Sequence, residues 1–163
     1  MKHRATKHWL LIAAATLASP ASAQHHPSPK PGLTTVAPSA REAAASIDAF
    51  HAALGKGDQV AAAALIAVNA LIYESGGVER SKAEYVSHHL PADAAFAKAT
   101  TRTVLRQVGH ASGDFAWIAT ESTTKGSYRE RAINSVSTET MVLRREKGRW
   151  RIAHIHWSSA NVK

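Results

Sequence analysis

Apolar residues first recur at helical spacing where Ile47, Phe50 and Leu54 fall three and four apart, with His51 on the same stripe. Ser39-Ala40-Arg41-Glu42 stands in front of them as a capping box, a serine followed three residues later by a glutamate. Gly55 and Gly57 stop this helix, Asp58 caps a second one from Val60 to Ile66, and Asn69 closes it. Ala70 to Ser75 reads as a strand, Gly76-Gly77 as a two-residue hairpin turn and Val78 to Arg80 as the short partner. A second capping box, Ser81-Lys82-Ala83-Glu84, opens a third helix to Leu90, and Pro91 marks a break before a helical stretch around Ala95 and Lys98.

After this the period falls to two. Thr100 to Val108, Asp114 to Thr124 and Ala132 to Arg145 read as long strands, and Glu146-Lys147-Gly148 turns into a last one, Arg149 to Ser158. Strict alternation in that last strand sets Ile152, His154, His156 and Ser158 on one face and Arg151, Ala153, Ile155 and Trp157 on the other, with Trp150 and Trp157 on opposite faces. Helices followed by a meander of long strands predict an α+β domain. Its strongly curved antiparallel sheet wraps around the N-terminal helices and leaves a pocket on its concave side beside them.

The ends add a destination. Lys2, Arg4 and Lys7, an apolar run from Trp9 to Leu17, and Ala21-Ser22-Ala23 have the layout of a secretory signal peptide cut after Ala23, with residues 1–23 as the leader. The run is too short to span a bilayer. With no cysteine there is no lipid-anchored form and no disulfide framework, so a periplasmic or secreted protein is expected. Residues 24–38 hold four of the six prolines and read as a flexible tether, leaving residues 39–160 as one folded domain. The formal charge is +8, but the arginines, Arg102 among them, are scattered along the strands without a basic helix, which argues against nucleic-acid binding and for an anionic small ligand or a solvated sheet face.

Element order, together with Thr138-Glu139-Thr140-Met141-Val142-Leu143 and the ending Gly148-Arg149-Trp150-Arg151-Ile152-Ala153-His154-Ile155-His156-Trp157-Ser158, resembles the SnoaL-like domains of the nuclear transport factor two superfamily. The tail is also similar to the calmodulin-dependent kinase association domain, where an acid on one strand faces a His-x-His on the next. The resemblance implies a cystatin-like cone, frequently a homodimer through its outer sheet face. Relatives range from proton-transferring isomerases, dehydratases and hydrolases to proteins that only bind or assemble, so fold alone does not give function.

On that scaffold Glu139, His154, His156 and Tyr73 form a candidate proton-transfer set, with a hydrogen-bonded structural cluster as the alternative. Trp117, Met141, Phe115 and Phe96 supply an apolar wall, and Tyr85, His89, Ser158 and Glu74 further contacts for a small apolar or aromatic molecule. His51 reads as a satisfied core histidine, and Trp157 as part of a dimer surface. No glycine-rich phosphate loop or nucleophile elbow identifies an organic cofactor. A divalent metal remains open through two groups of residues. His88, His89 and Asp93 lie close in sequence, although their spacing matches no established metal motif. Cleavage after Ala23 would also leave Gln24-His25-His26 as an amino terminus, where the amine, two amides and the His26 imidazole form a square-planar site for copper. The expected function is an exported small-molecule-binding domain with proton-transfer chemistry. The alternative is a periplasmic copper- or zinc-binding protein.

Overall fold

The computed structural model describes residues 35–162. The leader, residues 24–34 of the tether, and with them the copper reading at His26, lie outside the described residues. The order is β1 (Thr35–Val36), a 3-10 turn (Pro38–Ala40), α1 (Arg41–Lys56), α2 (Gln59–Ala64), β2 (Ile66–Glu74), β3 (Gly77–Glu79), α3 (Lys82–His88), α4 (Leu90–Ala99), β4 (Thr100–Ser112), β5 (Phe115–Tyr128), β6 (Arg131–Glu146) and β7 (Arg149–Asn161). They form one α+β unit with a seven-stranded sheet ordered β1-β4-β5-β6-β7-β2-β3.

β4 to β7 are the antiparallel meander that the alternation predicts, but the sheet as a whole is mixed. β2 joins β7 in parallel and β1 joins β4 in parallel, because each returns from a helical connection or the N-terminal arm instead of a hairpin. The end of the expected tether is therefore part of the sheet: Thr35 pairs with Val108, and the Ala37 N–H donates to the Gly109 carbonyl at 3.0 Å.

Local signals decide the helix ends unevenly. Ser81 Oγ accepts from the Glu84 N–H at 3.1 Å, and the Glu84 carboxylate accepts from the Arg80 N–H, so the second box caps its helix with the return bond one residue before the N-cap. The first does not. A 3-10 turn occupies Ser39, whose hydroxyl accepts from Ala111 N–H, and Glu42 turns to Arg145. Asp58 caps α2 through Ala61 N–H, and Gly57, at φ 74°, ends α1 in the left-handed conformation. Pro91 opens α4 instead of interrupting a helix, because its missing N–H costs nothing in a first turn. Asn69 lies inside β2, which takes over the segment from Ile66 by pairing with β7.

The core lies between α1 and the inner face of the sheet. Ala43, Ile47, Phe50 and Leu54 present one buried stripe of α1 to a row that crosses four strands in register: Ile72, Ile155, Met141 and Ile118. Gly109 continues that row on β4, where a Cβ would stand 2.3 Å from Ile118 Cδ1, so only glycine leaves room for the isoleucine.

Candidate functional site

β7 does not keep its alternation. Leu143 pairs with Ile152 and Val142 with His154, leaving Ala153 without a partner in a β-bulge. One extra residue inverts the faces beyond it. Trp150 and Ile152 point inward before the bulge, and Ile155 and Trp157 point inward after it. His154 and His156 are thereby turned to the outer face, where Tyr73 meets both rings edge-on at 5.3 and 6.3 Å, and His154 Nδ1–H donates to the Leu71 carbonyl at 2.8 Å. The expected set of His154, His156 and Tyr73 with Glu139 is not assembled, since Glu139 faces inward. Trp157 belongs to the inner wall and not to an outer dimer surface.

Other expected contacts also move. Trp117 and Phe115 are exposed at 46% and 59% and do not line the cavity. Met141 is fully buried in the core row. His88 is exposed and stands apart from the acidic cluster described below. Glu139, Glu74, His89, Asp93, Phe96 and Ser158 do meet in one cavity of about 780 Å³ beneath α1 and α4.

At the middle of the cavity is Glu139, only 4% exposed. His51 Nε2–H donates to its Oε2 at 2.8 Å, Trp157 Nε1–H to the same oxygen at 2.7 Å, and Arg102 to Oε1 at 3.4 Å. Burial alone would raise this carboxyl's pKa, but the His51 charge and hydrogen bond, with Arg102 and Trp157, hold it below the ordinary value. It is an ionised anchor, saturated with donors. His51 and Arg102 were not legible as site residues. His51 shares the apolar stripe of α1, and Arg102 is one arginine among many on the strands.

A second cluster lies at the junction of α3 and α4. Tyr85, fully buried behind the wall, donates its hydroxyl to Asp93 Oδ2 at 2.7 Å. His89 Nδ1 hydrogen-bonds Glu79, and its Nε2 lies 3.5 Å from Glu74. Burial raises the pKa of Asp93, and nearby Glu79 adds to this against the opposing Tyr85 hydrogen bond and the His89 and His51 charges. Glu74 is raised by burial and by Asp93. Burial would lower His89, but the Glu79 hydrogen bond and the surrounding carboxylates outweigh it and raise its pKa. Two carboxyls and an imidazole thus share a site in which protons are easily exchanged. One ligand atom each from Glu74, His89 and Asp93 lie within 4.8 Å of one another. This trio, and not His88, is the set of described residues that could close on a metal.

A model of the SnoaL-like domain matches residues 43–162. The chain belongs to this family. Among solved structures, the SnoaL-like chain is 40% identical to a candidate ketosteroid isomerase from Shewanella frigidimarina, covering 72% of this chain and 94% of that one with a TM-score of 0.68. Two more distant structures share the fold. A candidate calcium/calmodulin dependent protein kinase II association domain from Xanthomonas campestris is 20% identical over 80% of this chain and 94% of that one, TM-score 0.66. A candidate NTF2-like dehydratase from Streptomyces avermitilis is 14% identical over 76% and 96%, TM-score 0.64. No curated protein matches the chain.

Proposed function

We propose that this SnoaL-like protein is exported, works as a homodimer, and binds a small organic molecule in the cone to move a proton on it. Asp93 is the group that takes and returns the proton. The observation that carries the reading is the Asp93 carboxyl on the cavity wall, oriented by the Tyr85 hydroxyl at 2.7 Å. Glu74 and His89 beside it can pass the proton on, while Glu139 remains a fixed anion opposite. The 40% identity to a candidate ketosteroid isomerase supports proton abstraction next to a carbonyl as the reaction class.

Deuterium incorporation into simple cyclic enones in heavy water, followed by proton NMR, tests this. The wild type should exceed buffer, and Asp93→Asn should lose about 100-fold or more of the rate. Exchange equal to buffer, or undiminished in Asp93→Asn, would sink the reading. The same preparation, secreted by a bacterial host, should have a mass beginning at Gln24 and elute as a dimer.

A second reading is a zinc- or copper-binding protein, favoured by the three ligand atoms of Glu74, His89 and Asp93. It requires a chelator-reversible thermal stabilisation by zinc that persists when residues 24–34 are deleted. No stabilisation removes it.

A further inference from the structure

The inner face of the sheet changes character at one row. Glu74, Trp157, Glu139 and Thr120 stand in register across β2, β7, β6 and β5. On one side of them is the apolar row of the core. On the other are Ser159, Ser137 and Ser122 in one row and Ser135, Thr124 and Arg102 in the next. All six line the cavity.

These hydroxyls are placed where a domain of this size would ordinarily continue its core. The Ser, Thr and Tyr hydroxyls that bond protein groups among the described residues are those of Ser39, Ser46, Ser81, Ser87, Tyr85 and Thr100, all outside the two rows. The hydroxyls of the rows are therefore available as donors to a guest. Charge points the same way. The one side-chain carboxylate at this end among the described residues, Glu139, already receives His51 and Trp157. Arg102 gives it a single long bond of 3.4 Å, which leaves most of a five-donor fork uncommitted. Lys98 and Arg129 line the same cavity, whereas the carboxyls of Glu74 and Asp93 belong to the other cluster and would repel an anion placed beside them.

We propose that the hydroxyl-lined end of the cone receives an anionic group, a carboxylate or its equivalent, carried by the bound molecule, with Arg102 as its principal partner. The guest is a small organic anion, where the sequence pattern led us to expect a small apolar or aromatic molecule. Its charge fixes its direction: the anionic group lies against Arg102 and the opposite end faces Asp93. This deepens the proposed function and rests on it only in taking the cavity as a small-molecule site.

Calorimetric titration with 2-naphthoate and with 2-naphthamide tests the inference, since the two probes share size and ring system and differ in charge. The naphthoate should bind about tenfold tighter or better, as expected for charge-assisted hydrogen bonds. Arg102→Gln should abolish the difference, with naphthoate losing far more affinity than naphthamide. Arg102→Lys should restore part of it. Glu139 keeps two donors in both variants, and unchanged thermal melting confirms the fold. Equal affinities, a preference that survives Arg102→Gln, or no saturable binding of naphthoate would overturn the proposal. Failure of Asp93→Asn to alter deuterium exchange would overturn the proton-transfer reading and leave this preference standing, so the two are separable.

Discussion

Along β5 the inner positions run Ala116, Ile118, Thr120, Ser122, Thr124, and in register on β6 they run Leu143, Met141, Glu139, Ser137, Ser135. The same two strands, with the same pairing, form the core at one end and the cavity at the other. Backbone geometry cannot be what separates the halves. The difference is what covers them: α1 lays Ile47 and Phe50 over the first, while the second opens into the cavity beneath the end of α1 and α4. A sheet thus yields a site simply by running past the helix that would close it.

Substitutions in the two halves should differ accordingly. Met141→Ala, in the covered row, should destabilise by about 3 kcal/mol through lost burial and a cavity. The comparable trimming of Ser137→Ala should stay within about 0.5 kcal/mol. Equal losses in urea unfolding would dissolve the distinction.

Glu139→Gln probes the border and should cost about 2 kcal/mol at neutral pH, because donors arranged around a carboxylate are left poorly paired. Its folded pKa is below the ordinary 4.5, so its contribution is present above that value and is lost as pH falls through the lowered one. The gap between wild type and variant should therefore close in acid. A gap independent of pH would mean that shape, not charge, is what Glu139 provides.

The smallest effect belongs to Thr120, on the same row. It is 2% exposed and its Oγ1 finds no hydrogen-bond partner among the described residues. Thr120→Val should be neutral or stabilise by up to about 1 kcal/mol, moving the apolar half forward by one position. A clear loss of stability would reveal that the hydroxyl has a partner after all.

The scaffold was legible because long alternating strands and helical stripes act over many residues, and the Ser81–Glu84 box and Gly57 act locally. The Ser39 box failed because β1 draws that segment to the sheet and a 3-10 turn takes its place. The site was legible in part. Glu139, Glu74, His89, Asp93 and Ser158 were selected and share the cavity. His154 and His156 were selected and do not, since alternation is counted from a fixed register and Ala153 breaks it, and Tyr73 pairs with His156 on the outer face while its neighbour Glu74 points in. His51 and Arg102 depend on contacts 88 and 37 residues away in sequence, which no local pattern carries. The alternating Thr120, Ser122, Thr124 and Ser135, Ser137, Glu139 were visible, but only the register between strands turns them into one polar patch.

Ala153 acts on β7 as a half-period phase shift in a two-beat signal: every residue downstream of it changes side. Pairing it normally would restore the beat, bring both imidazoles in toward Glu139, and eject the indole that now holds that carboxylate, whereas deleting it would remove the bulge and leave the present faces as they are. The strand therefore carries two alternative linings for one cavity, separated only by whether Ala153 is bulged out or paired.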